Sequence, residues 1–112
     1  MTGRRNDALR LSDMLRSIER LHEVLSSGYE QFSSSWLSQS AAIRELEILG
    51  EAAGEISPLL RRQHPEVEWG RMRGLSSFAK HEYWRVKPEL VWEAIAEMPA
   101  LRERIRRIVP TP

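Results

Sequence analysis

Histidine is the one side chain whose ordinary pKa lets it take up and release protons near neutral pH, and the chain has three, His22, His64 and His81. His81 has the richest surroundings: Arg71, Arg73, Lys80, Tyr83, Trp84, Arg85 and Lys87 lie within ten residues of it. That mixture suits RNA. A histidine can take the proton of a ribose 2′-hydroxyl or return one to the leaving oxygen, while cations stabilise charge gathering on phosphorus. His81 is therefore the candidate general acid or base, with Arg71, Arg73, Lys80 and Arg85 as candidate phosphate contacts. The local residues leave a packing role open, with His81 and Tyr83 joining two helices. Glu19 and His22 form a Glu-x-x-His step that could ligate a metal. Carboxylate metal sites in helical bundles need two such steps and two further glutamates, and only one step is present, so a helix surface is expected there and no metal or cofactor is assigned. His64 precedes Pro65 and reads as a solvated connector residue.

The elements that must position His81 are helical. Asp7 reads as the N-cap of a helix with Leu11, Met14, Leu15, Ile18, Leu21 and Leu25 at three- and four-residue steps, stopped by Ser26, Ser27 and Gly28. Tyr29 to Trp36 is a shorter segment interrupted by serines. From a Ser38 or Ser40 cap a second long stretch runs to about Arg62, with Ile43, Leu46, Leu49, Ala53, Ile56 and Leu60 on one face; Pro58 should kink it or end and restart it. Gly50, Ala52, Ala53 and Gly54 would let another helix come close. Trp69 to about Lys80 reads as helix, Pro88 and Pro99 each fit a helix's first turn, and the last helix carries Arg102, Arg104, Arg106 and Arg107. No strand alternation or repeat is visible, so the expected fold is all-α, a bundle of four or five helices.

Composition narrows the function classes. With 112 residues, 41% hydrophobic and 29% charged, residues 1–112 are expected to form a single folded domain rather than a disordered chain. The absence of cysteine excludes disulfide scaffolds, thiol nucleophiles and thiolate zinc sites. No apolar run is long enough to span a membrane, and a soluble, cytoplasmic protein is expected. Net charge is +1, but residues 1–56 hold six arginines against nine acids and residues 57–112 hold eleven basic residues against seven acids. The basic half contains His81, which is compatible with a phosphate-bearing partner.

Several phrases, in order, resemble one family over nearly the whole chain. They are Ser12-Asp13-Met14-Leu15 with Ile18-Glu19-Arg20, then Ala42-Ile43-Arg44-Glu45-Leu46-Glu47-Ile48-Leu49-Gly50-Glu51-Ala52-Ala53, Pro65-Glu66-Val67-Glu68-Trp69, His81-Glu82-Tyr83 and Leu90-Val91-Trp92-Glu93. Together they resemble the HepT-like branch of the HEPN superfamily. The resemblance implies an all-α bundle that forms a homodimer, with two copies of one motif facing across a basic cleft. It also implies a metal-independent endoribonuclease toxin acting on RNA, tRNA included, and a cognate minimal nucleotidyltransferase that silences it by adding AMP to a tyrosine. The family motif is Arg, four residues, His, any residue, Tyr; His81 and Tyr83 match its last two fixed positions, which makes Tyr83 the implied modification site.

The first motif position departs from the pattern. Five residues before His81 stands Ser76, followed by Ser77, where the family has Arg and a polar neighbour. A serine cannot supply a permanent cation to a phosphate under attack. A natural inactive relative and an inactivated variant of an active toxin both fit. Arg73 is the candidate surrogate, about 60° around and about 4.5 Å along a helix from Ser76, although side chains leaning toward the helix N-terminus would carry it away from His81. Arg44, Glu47 and Glu51 share a helix face and are expected to form an ion-pair ladder, while Trp69, Trp84 and Trp92 are expected in packing rather than on bases.

Overall fold

A computed structural model describes the backbone of residues 3–82 and 87–109 and the side chains of residues 6–80 and 87–109. Seven helical segments occur among the described residues, with no strand: α1 (Gly3–Ser26), α2 (Tyr29–Ser33), α3 (Trp36–Gly54), α4 (Pro58–Gln63), α5 (Trp69–Glu82), α6 (Pro88–Ile95) and α7 (Met98–Ile108). Five are long enough to pack as bundle helices; α2 and α4 are brief links between them.

The apolar periodicity of α1 becomes its buried stripe. Leu11, Met14, Ile18 and Leu21 face the core, where they meet Leu46, Leu49 and Ala53 of α3, Met72 of α5, Val91 and Ile95 of α6, and Leu101 and Ile105 of α7. Each fully buried aliphatic side chain stabilises the fold by about 1.5–3 kcal/mol, which makes this stripe the main cohesive element. Gly28 ends the first helical arm with φ 89°, a left-handed conformation costly for any residue with a Cβ.

The helix starts differ from the sequence expectation. Asp7 is not the N-cap of α1, which begins upstream at Gly3. Its buried carboxylate instead accepts from the Ser57 backbone N–H at 2.8 Å and the Ser57 hydroxyl at 2.6 Å. Ser57 in turn accepts from the Leu60 N–H at 3.2 Å, capping α4, with Pro58 in the first turn. Asp7 thus braces the cap residue of a helix fifty residues away rather than capping its own. Helix α3 is capped by Ser35, whose Oγ accepts from the Ser38 N–H at 3.1 Å, not by Ser38 or Ser40. Trp36 accordingly opens α3 instead of closing the preceding segment. Of the two outcomes foreseen for Pro58, the helix ends at Gly54 and restarts at Pro58.

The most extensive helix pair is α3 with α5. Gly50 lies against Ser76, Gly54 beneath Arg73, and Glu51 beside Lys80, so the two helices run antiparallel. A Cβ built on Gly50 would come within 2.8 Å of the Ser76 Cβ and 2.9 Å of the Met72 carbonyl, and would also meet the Ser76 backbone nitrogen. Only glycine permits this crossing. It fixes the rotation of α5, and hence the direction in which each residue of the motif leaves the helix.

Candidate active site

Helix geometry sorts the candidate residues of α5. Arg73, Ser76 and Lys80 fall within about 60° of one another on the side that meets α3, whereas Arg71 lies about 140° around from Ser76. Two of the four phosphate-contact candidates, Arg73 and Lys80, are therefore brought together along one flank. Arg71 is not among them. It pairs with Glu97 at the start of α7 and with Glu68 at 3.7 Å, facing away from Ser76.

Ser76 is half-buried and lines an open groove of about 740 Å³ between α1, α3 and α5, with Arg10, Asp13, Gly54, Glu55 and Arg73 among the other walls. Its hydroxyl donates to the Arg73 carbonyl at 3.3 Å, a local helix bond that offers a substrate no charge. Arg73 is exposed, makes no ion pair among the described residues, and lies over Gly54 at the C-terminal end of α3, its Nε 3.7 Å from where a Cβ would stand. The expected lean toward the N-terminus of α5 is thus observed. It carries the guanidinium to the end of the groove farther from position 81.

Lys80 crosses to α3, where its ammonium donates to a Glu51 carboxylate oxygen at 2.9 Å. The contact raises the Lys80 pKa through the hydrogen bond and charge of Glu51. The same bond, the largest influence on Glu51, holds that carboxyl below its usual value. The ion-pair ladder expected along α3 is therefore only half formed. Arg44 pairs with Glu47 at 2.9 Å, while Glu51 leaves the ladder for the neighbouring helix. Sequence reasoning missed both this pairing and the part of Gly50 in seating Ser76. The signal was the phrase Gly50-Glu51 itself, a small residue for approach followed by a carboxylate.

The backbone of His81 lies in the last turn of α5, five residues beyond Ser76, which places it about 7.5 Å along the axis and about 140° around. The His81 side chain and Tyr83, Trp84 and Arg85 lie outside the described residues.

The remaining candidates take structural places. Glu19 accepts from Arg102 at 3.0 Å and Arg106 at 2.7 Å, joining α1 to α7. Burial pushes its pKa up, but the hydrogen bonds and charges of the two arginines outweigh that and hold it below the ordinary carboxylate value. His64 pairs its Nδ1 with Glu66 at 3.1 Å, and its carbonyl accepts from the Trp69 indole at 2.9 Å. Trp69 is buried, and Trp92 packs on Phe32 at 5.3 Å and edge-on to Tyr29 at 5.5 Å, so both are packing residues. Among the described residues no group of acids and histidines is arranged to hold a metal, and no helix is long and apolar enough to cross a membrane.

Comparison with known proteins bears on the same residues. The chain is similar to "Putative RNase TTE0752" of Caldanaerobacter subterraneus subsp. tengcongensis, 32% identical over 88% of this chain and 90% of that protein. It is 31% identical to "Probable ribonuclease HepT" of Thermococcus cleftensis over 88% of this chain and 91% of that protein. It is also 31% identical to "Putative RNase MJ1380" of Methanocaldococcus jannaschii, over 85% and 89% of the two chains. No solved structure matches it. The family described as Ribonuclease HepT-like matches residues 14–108, from the buried stripe of α1 through His81 to the end of α7, and the chain belongs to that family.

Proposed function

We propose that the protein is a metal-independent endoribonuclease toxin, acting in the cytoplasm as a homodimer on RNA, tRNA among its substrates. His81 takes the proton of a ribose 2′-hydroxyl as that oxygen attacks the adjacent phosphorus. The 5′-oxygen leaves with a proton returned by a histidinium, giving a 2′,3′-cyclic phosphate and a 5′-hydroxyl end. In the dimer the second His81 is available for the return step. Arg73 contacts a neighbouring phosphate. A partner nucleotidyltransferase silences the enzyme by transferring AMP from ATP to the Tyr83 oxygen, releasing pyrophosphate. The observation that carries this reading is the family match across residues 14–108, which includes both His81 and Tyr83. RNA cleavage by the purified protein in EDTA tests it. Cleavage lost in His81→Ala is expected, and no cleavage at any protein concentration would remove the catalytic assignment.

One observation favours a second reading, a catalytically silent module that binds RNA or the nucleotidyltransferase. At the position of the family arginine stands Ser76, neutral and bonded to its own helix. Ser76→Arg separates the two, because the open groove beside position 76 has room for the longer side chain. A silent module gains cleavage by about two orders of magnitude or more when the cation returns, whereas an enzyme already active through other groups changes little.

A further inference from the structure

Lys80 precedes His81 by one residue of α5, about 1.5 Å along the axis and about 100° around it, so its ammonium is within reach of a strand that wraps this end of the helix. Yet its ammonium is already occupied by Glu51 at 2.9 Å. The pair borders a shallow groove of about 390 Å³ whose charged lining is Arg44, Glu47 and Lys80, with Ser40, Ile43 and Ala79 between them. With Glu51 included, this patch holds two cations and two carboxylates. Its charge is balanced, unlike that of a face prepared for a polyanion.

The geometry of the balance is specific. Glu47 is turned along its own helix to Arg44, 2.9 Å away, whereas Glu51 reaches across the helix pair to Lys80. A carboxylate that accepts from a lysine ammonium on an open surface makes the contact a phosphodiester oxygen would make. Both partners are roughly half exposed, at 44% for Lys80 and 49% for Glu51, so the bridge is accessible to water and ions and is held only weakly. A phosphate can displace it without opening the core.

We propose that Glu51 sets the RNA affinity of this face by occupying Lys80 as an internal substitute for phosphate. The inference rests on the reading of the chain as an RNA-binding ribonuclease. RNA arriving at His81 exchanges the carboxylate for a phosphate oxygen, and Glu51 is released to solvent. The apparent affinity is therefore lower than the cations alone would give, and Glu51 discriminates against weakly charged or short ligands.

The test is a double-mutant cycle on the full chain, read by fluorescence anisotropy. The probe is a labelled single-stranded oligoribonucleotide with 2′-O-methyl groups, which removes the attacking hydroxyl and prevents cleavage. Glu51→Gln keeps the size and removes the charge; it is expected to tighten binding roughly two- to fivefold at low salt. The dependence of log affinity on log salt should stay nearly unchanged in Glu51→Gln, because Lys80 meets the same phosphate in both proteins, and should flatten by about 0.7 in Lys80→Gln, which loses that single-strand contact. Lys80→Gln weakens binding, and the double variant binds like Lys80→Gln alone. A Glu51→Asp variant, which keeps the charge and serves as a fold control, stays near wild type. Unchanged or weaker binding by Glu51→Gln overturns the proposal, as does a gain that survives in the double variant. Wild-type protein that fails to bind the probe overturns the RNA-binding reading itself, so the two failures are told apart by the wild-type measurement.

Discussion

Gly50 of α3 and Ser76 of α5 pack so closely that a single added methyl group at position 50 would come within 2.8 Å of the Ser76 Cβ. The helix backbones, not their side chains, form the contact. Ser76 is thus held at a crossing that leaves no room for a side chain at position 50.

Gly50→Ala follows directly. Alanine is a better helix former than glycine by about 1 kcal/mol, which alone would stabilise α3. The clash is with backbone atoms of Met72 and Ser76, which no side-chain rotation can relieve, and overpacking of this kind costs typically 1–3 kcal/mol. The clash should win. A fall in melting temperature by calorimetry is expected, and an unchanged or raised value would mean that α3 and α5 separate without cost.

Arg71 and Arg73 should differ in RNA binding although two residues apart. Arg71 is engaged by Glu97 and Glu68, while Arg73 is exposed and makes no ion pair among the described residues. Arg73→Ala is expected to weaken binding and reduce the salt slope by about 0.7, whereas Arg71→Ala should leave the slope nearly unchanged. Equal effects in a salt titration would contradict the separation of the two faces.

Asp7→Ala should destabilise the fold by about 1–3 kcal/mol, because it strips a partly buried N–H and hydroxyl of Ser57 of their acceptor. In urea denaturation the loss should not add to that of Ser57→Ala, since both variants break one linked cap. Additive losses would show that the two residues act separately.

Glu19 supplies a pH dependence. Its pKa is lower in the folded protein than in the unfolded chain, so its contribution is present above the ordinary carboxylate value and lost as pH falls through the depressed one. The stability difference between wild type and Glu19→Gln should be constant from neutral pH to about 5 and close in more acidic solution. Because the carboxylate is 41% exposed, the difference at neutral pH should stay below about 1 kcal/mol. A gap that widens in acid would reverse the sign and refute the clamp.

Much of this was legible in the residues. The stripe Leu11, Met14, Ile18 and Leu21 announces α1, the prolines at 58, 88 and 99 announce helix starts, and the phrase around Glu51 with His81 and Tyr83 announces the family. What escaped depends on tertiary partners. Asp7 has the chemistry of a local cap, and nothing in its neighbours says that Ser57 takes its carboxylate. Glu51 has only Arg44, two turns away, as a cation on its own helix, and the antiparallel crossing at Gly50 brings Lys80 nearer. Arg71 and Arg73 look alike in a basic run, and the rotation of α5 separates them.

The clamp between Glu19 and Arg102 joins residues 83 positions apart. Helix α1 leaves the ribosome before α7, and their contact cannot form until Arg102 has been made. At synthesis rates of about 5–20 residues per second, roughly 4–17 s separate the two halves of that contact. In the interval α3 is the first extensive partner available to α1. The α1–α7 contact is consequently timed by the emergence of α7, and a ribosome stalled before Arg102 carries a chain whose α1 still lacks its cover from α7.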